Sequence, residues 1–287
     1  MSRNKNRLGG GMKAEPDTSP PAALMQETSN EGFSFVVPTE FVELPSKGLL
    51  YTQNHPLHGQ DSIEIKQMTA KEEDLLTSKT LLKKGIAIDR LVQSLLVDKR
   101  IKVDSLFVGD KNAIIIAIRK SGYGAEYSTK ITCPNCGAVQ KRTFDLNEFN
   151  TYSGQDIDKL DIVNNADGTF TTELPKTKLS ITFRLLTGHH EKTLVSGMKL
   201  DRQQKHHERA VTRQLKNMIV SVNGHSSSKA LDYLIQNIPS MDSRHLRLCY
   251  KLAAPDVELT QQFICEECDF DQDLEVPLTA DFFWPNE

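Results

Sequence analysis

The feature that most constrains this chain is a pair of C-x-x-C motifs set far apart. One is "CPNC" at 133–136 and the other "CEEC" at 265–268, with 128 residues between Cys136 and Cys265. A C-x-x-C at the tip of a β-hairpin turns both sulfurs to one side. Two such tips facing each other present four thiolates in the tetrahedron that zinc accepts. Cys133, Cys136, Cys265 and Cys268 are therefore the candidate metal ligands. A catalytic zinc keeps three protein ligands and an open fourth position, and four cysteines leave none open. One structural Zn2+ per chain is expected, joining two distant parts of the sequence. Iron fits the same ligands, and two separate knuckles or plain reduced thiols are the alternative readings.

Ribbon-type sites commonly separate their cysteine pairs by ~15–20 residues. The much longer gap here implies a subdomain, residues 150–255, inserted between the ligand pairs. The tips also differ. "CPNCG" has Pro134 to preorganise the turn and Gly137 to take positive φ, whereas "CEECD" has neither and relies on Asp269 in the left-handed region. A weak internal repeat runs through both, since Cys133, Cys136, Phe144 and Leu146 each recur 132 positions later as Cys265, Cys268, Val276 and Leu278.

Of the five cysteines, four lie in these pairs, which fits a reducing compartment and metal binding better than a disulfide scaffold. Cys249 sits in the helix-like "RHLRLCYKLAAP" and reads as a small buried hydrophobe. The formal net charge of −3 shows no global excess of positive charge for nucleic acid. A zinc held by four thiolates keeps a negative charge, which Lys130, Lys141 and Arg142 of the first hairpin could offset. The second hairpin carries Glu266, Glu267, Asp269, Asp271, Asp273 and Glu275 with no base from 265 to 276, so phosphate binding through it is disfavoured. The longest apolar run, "AIIIAI" at 113–118, is far short of the ~20 residues of a membrane span, and no secretory signal is evident.

The remaining sequence reads as α+β. Residues 1–32 hold no aromatic, isoleucine or valine and are expected to form a disordered arm. A helical N-terminal lobe with small β elements follows over 33–125. "SIEIKQM" alternates as a strand, Thr69 and Glu72 have capping-box spacing, and Gly85 can close a short helix. Ile88, Leu91, Val92, Leu95 and Leu96 form one helical stripe. "DKNAIIIAIRKSGYG" fits either a buried helix or a strand, and Asp110 as a cap with Gly122 as a stop favours the helix. The split zinc ribbon occupies 126–149 and 256–287. The insert at 150–255 predicts a β-hairpin through "KLSITFRLL" and then helices, including a stripe of Val211, Leu215, Met218, Ile219 and Val222 and a fresh N-cap at Ser226–Ser228.

Other constellations are weak. The histidine pairs at 189–190 and 206–207 make no H-E-x-x-H and are expected to be solvated on polar helix. "KEED" at 71–74 places carboxylates in a helix's first turn, where they suit the dipole. "SGYGAEY" lacks the third glycine of a dinucleotide loop, and no Walker or nucleophile-elbow motif occurs. Nothing in the sequence makes a positive case for an enzyme, and no catalytic or cofactor-binding residues are expected beyond the metal ligands.

The stretches "LPSKGLLY", "MTAKEEDLLTSKTLLKKGIAIDRLVQSLL" and "IRKSGYGAEYSTKITCPNCG" resemble the baseplate hub protein family of contractile-tailed, T-even-type bacteriophages, over roughly 40–285. That resemblance implies a non-enzymatic structural or assembly protein of the tail baseplate hub. It would act with other hub subunits or the tape-measure protein in an oligomeric assembly. The implied location is the host cytoplasm during assembly and then the virion tail. A tail-assembly chaperone absent from the finished particle is a variant. A zinc-ribbon nucleic-acid regulator is the alternative from a different class, and it predicts steeply salt-dependent binding.

Overall fold

The computed structural model describes residues 24–28, 34–203, 209–276 and 280–283. Strand β1 (Leu24–Thr28) pairs antiparallel with β2 (Ser34–Glu43), in a register running from Leu24↔Pro38 to Thr28↔Ser34. The expected arm thus contains a strand at 24–28, while 1–23 and 29–32 lie outside the described residues. Poor side-chain composition does not prevent this, because a ladder needs only backbone partners, and the strand-forming "FSFVVP" supplies them. β2 runs through Thr39, where one compact unit ends and the next, Glu40–Glu287, begins.

The larger unit is α+β with two hydrophobic cores. The first is built by β3 (Ser62–Lys66), α1 (Ala70–Thr77), α2 (Lys79–Lys84), α3 (Ala87–Leu95) and α4 (Val108–Tyr123). Ile63 and Ile65 alternate inward from β3 as the sequence pattern requires. At the start of α1 the Glu72 carboxylate accepts both the Thr69 amide at 3.3 Å and the Thr69 hydroxyl at 2.5 Å. Gly85 ends α2, and Leu91, Val92, Leu95 and Leu96 are buried together with Ile114 and Ile118 of α4.

The helical reading of "AIIIAI" holds, but its ends differ from expectation. α4 starts after Phe107 and stops at Gly124, two residues past Gly122. Asp110 does not cap it. Its fully buried carboxylate instead accepts the Ser46 amide (3.0 Å), the Ser46 hydroxyl (2.7 Å) and the Tyr51 phenol (2.7 Å), tying the loop after β2 to the helix. Burial pushes the Asp110 pKa above the usual carboxylate value despite these three donors. At the far end Arg119, also buried, donates to the carbonyls of Gly124 (2.6 Å), Glu126 (2.9 Å) and Phe282 (2.7 Å).

Two β-hairpins leave this lobe. The first is β4 (Glu126–Thr132) with β5 (Val139–Asp145), followed by β6 (Asn150–Tyr152). The chain then enters the second core through β7 (Val163–Asn164), β8 (Thr169–Glu173), β9 (Ser180–Arg184), α5 (Gly188–Gln203), α6 (Ala210–Met218), β10 (Ile219–Val222), α7 (Ser228–Asn237) and α8 (Ser240–Ala253). Its strands form an antiparallel sheet in the order β10-β9-β8-β7, covered by Leu215, Met218, Leu234, Leu246 and Cys249. The predicted stripe from Val211 to Val222 is therefore not one helix. α6 stops at Met218, and Ile219 and Val222 pair with Phe183 and Ile181 of β9. The β-branched run Ile219-Val220 fits a pleated edge better than a helix end. Val211 is exposed.

Ser227 supplies the expected N-cap of α7, its hydroxyl accepting the Ala230 amide at 3.3 Å. The polar segment at 201–209 hides one exception. Asp201 is buried and held by Arg209 (2.9 Å) and Arg213 (2.9 and 2.8 Å), while 204–208, with His206 and His207, lie outside the described residues. His190 is half-buried, its Nδ1 accepting the Thr187 amide at 3.1 Å, so it finishes a helix start instead of facing solvent alone.

The return path zips the neck of this excursion. β11 (Asp256–Glu258) pairs antiparallel with β6, from Asp256↔Tyr152 to Glu258↔Asn150. Directly after it come β12 (Thr260–Ile264) and β13 (Asp271–Glu275), the second hairpin, and a final 3-10 turn at Ala280–Phe283. A gap of 128 residues in sequence is thus closed in space by a three-residue ladder.

Candidate metal centre

Each cysteine pair sits at a hairpin tip whose backbone folds the same way. In the first, the Cys133 amide donates to the Ala138 carbonyl (2.8 Å) and the Gly137 amide to the Cys133 carbonyl (3.0 Å). In the second, the Cys265 amide donates to Phe270 (2.9 Å) and the Asp269 amide to Cys265 (3.0 Å). Gly137 and Asp269 occupy the same turn position with φ of 75° and 50°. The aspartate therefore accepts the left-handed conformation for which the first tip uses glycine.

The hairpins meet through their inner faces. Cys133 Sγ lies 3.8 Å from Cys268 Sγ, and Cys136 Sγ lies 3.7 Å from Cys265 Sγ. All four sulfurs lie within 4.8 Å of one another. These gaps are far beyond the ~2.05 Å of a disulfide. They match the edge of a tetrahedron, about 3.8 Å, whose corners stand ~2.3 Å from a central zinc. The four predicted ligands are therefore brought together in a shape compatible with one four-coordinate metal ion. Cys249 is elsewhere, buried in α8 with its sulfur 3.4 Å from His245 Nε2.

The electrostatics point the same way. The Ala138 amide favours the Cys136 thiolate, but contacts with the other three sulfurs prevail and push the thiol up to about 12. Cys268 is lowered, chiefly by the Asn135 side-chain amide. Thiolates at this distance repel one another, and a divalent cation among them would remove that conflict.

The sequence reading missed the side chains that support the sulfurs. Gln140 Nε2 stands 3.4 Å from Cys265 Sγ, its Oε1 accepts the Glu266 amide at 3.3 Å, and Asn135 Nδ2 stands 3.5 Å from Cys268 Sγ. Strand alternation was the available signal, since Gln140, Arg142 and Phe144 share the inward face of β5. Of the three basic residues expected to offset the site's charge, Arg142 alone lies on the inner face, and its partners there are in the second hairpin and are not the sulfurs. Its guanidinium lies over the Phe263 ring at 5.6 Å, donates to the Ile264 carbonyl and is 3.4 Å from Glu266. Lys130 and Lys141 point to the opposite face.

A groove of about 500 Å3 between α2–α3 and α5 is lined by Ile88, Phe283 and a lysine-carboxylate cluster. Lys111 is bound there to Asp89 (2.8 Å) and Glu191 (2.7 Å), so those charges neutralise one another.

Against known proteins, the family model described as "T4 bacteriophage base plate protein" matches residues 39–284. No curated protein and no solved structure matches. The matched span contains both cores, both hairpins and all four clustered cysteines, and this chain belongs to the T4 bacteriophage base plate protein family.

Proposed function

We propose that this chain is a non-enzymatic structural or assembly protein of the baseplate hub, with its two hairpins closed into a split zinc ribbon. Cys133, Cys136, Cys265 and Cys268 would hold one Zn2+, and the ion would supply cross-linking and charge neutralisation with no open position for a reacting group. Asn135 and Gln140 would orient and stabilise the sulfurs, and Arg142 would hold the second hairpin against the first. The functional divisions follow as an N-terminal lobe at 33–125, the ribbon at 126–149 and 256–287, and an insert at 150–255. Partners would be other hub or tape-measure proteins, met in the host cytoplasm and carried into the tail.

The observation that carries this reading is the closed four-sulfur cluster inside a chain of a baseplate family. Elemental analysis of protein purified without added metal should find about one zinc per chain, lost in Cys136→Ser and Cys268→Ser. Metal content unchanged by either substitution refutes the shared site. Co-purification from infected cells tests the placement. Tracking with finished particles supports a hub component, tracking with intermediates alone supports the chaperone variant, and association with neither overturns both. The exposed Lys130 and Lys141 are the one feature favouring a nucleic-acid regulator. Strong, salt-sensitive retention in a gel shift at two salt concentrations would replace the baseplate reading with that one.

A further inference from the structure

We propose that copies of this chain associate head to tail, the basic outer face of the first cysteine hairpin docking on the acidic outer face of the second hairpin of a neighbouring copy.

Lys130 of β4 stands directly opposite Lys141 of β5, both exposed. Like charges directly opposite on one sheet face repel and weaken the hairpin. Neither lysine forms an ion pair among the described residues. An unfavourable pair kept at an exposed position calls for a counter-charge from outside the chain. The second hairpin has the same pairing scheme displaced by 132 residues: Lys130↔Lys141 becomes Gln262↔Asp273, and Thr132↔Val139 becomes Ile264↔Asp271. Near the tips the two outer faces therefore share one spacing but differ in sign, +2 on Lys130 and Lys141 against −2 on Asp271 and Asp273, while the ends away from the tips carry acids on both, Glu126 and Asp145 on the first hairpin and Glu275 on the second.

Direction follows from how the hairpins meet. Their inner faces are pressed together by Arg142 over Phe263, by Gln140 against Cys265 and by the sulfurs. The outer faces consequently look away from each other, one basic and one acidic. Such a module cannot neutralise itself, and two copies cannot do so by a two-fold contact of like faces. It can do so by a heterologous contact, which propagates into a ring or a row. Each face also carries one exposed apolar side chain beside its charges, Val139 at 63% exposure and Ile264 at 48%. A hairpin face is small, so one contact should be weak and strongly salt-dependent. The inference rests on the paired-hairpin geometry and not on the baseplate assignment.

The test is sedimentation velocity of the full chain over a dilution series at low and high salt. Two variants are compared, K130E/K141E, acidic on both faces, and D271K/D273K, basic on both. The wild type should associate with rising concentration at low salt and return to monomer at high salt. Each variant alone should associate about tenfold or more weakly. An equimolar mixture of the two should recover association, because each restores the counter-charge the other lacks. Metal content and far-ultraviolet circular dichroism establish that the variants are folded, and K130Q/K141Q with D271N/D273N serve where charge reversal prevents folding. A wild type that stays monomeric to about 100 μM overturns the proposal. Variants that associate like wild type, or a mixture that fails to recover, also overturn it. So does salt-sensitive DNA retention that K130E/K141E abolishes while self-association is unchanged.

Discussion

Removing the metal should lower the thermal stability of this protein by a calculable amount. A bound ion stabilises the fold only by the difference between its affinity for the folded and unfolded chain. In the folded chain the cysteine pairs already face each other, held by the β6–β11 neck and the shared core. In the unfolded chain 128 residues separate Cys136 from Cys265, and closing a loop of that length costs about 5 kcal/mol. Metal loss should therefore destabilise the protein by roughly that amount, equivalent to a fall in Tm of roughly 10–20 °C for a chain of this size. The assay is calorimetric or circular-dichroism melting under reducing conditions. It is run before chelation, after chelation and after zinc is restored, with metal content measured in each sample. Cys249→Ala should leave the metal content unchanged, since that sulfur lies in the other core. A Tm that stays within a few degrees after the ion has demonstrably left would refute the reasoning, because the neck and core would then hold the hairpins without it.

Three further outcomes follow from buried groups. Arg119→Ala removes the donor to three carbonyls on two separate segments and should cost about 3–5 kcal/mol in urea unfolding, with Arg119→Lys recovering only part. Gly109→Ala would put a Cβ 2.0 Å from the Pro255 carbonyl oxygen and 2.7 Å from Asp256 Cα, both backbone. A loss of about 2–3 kcal/mol is expected, measured by the same unfolding curves. Asp110 binds its proton more tightly folded than unfolded, since burial raises its pKa. Its contribution to stability is thus fully present below the unfolded value and declines as pH rises through the folded one. As pH rises above about 4, the stability of wild type relative to Asp110→Asn should fall, and a flat difference would contradict the assignment.

What the sequence disclosed and what it hid divide along a physical line. Local rules were legible: Thr69 with Glu72, Gly85, the Leu91–Leu96 stripe and the Ser227 cap each depend on residues within a turn or two of one another. The four cysteines were legible for a different reason. Thiolates at this spacing have few alternative uses, so chemistry stood in for distance. The misses are places where a distant partner decided the outcome. β1 exists because β2 offers a ladder, Ile219–Val222 leave the helical period because β9 has an open edge, and Asp110 turns from cap to anchor because Ser46 and Tyr51 reach it.

The two hairpins show the same division inside one site. Their tips share a backbone scheme, and only four matched residues in the sequence hinted at it, because hydrogen-bond registers do not require matching side chains. The outer positions, free of the backbone's needs, differ in charge near the tips, while the inner ones are constrained by sulfur and by Phe263. A repeated backbone frame with one face fixed and the other free gives a module that can present two different surfaces. For a chain of a baseplate family, a metal bound at the tips would add its cross-link where the two hairpins meet and not within either core. There it would add to the neck and the shared core in fixing the angle between the two outer faces.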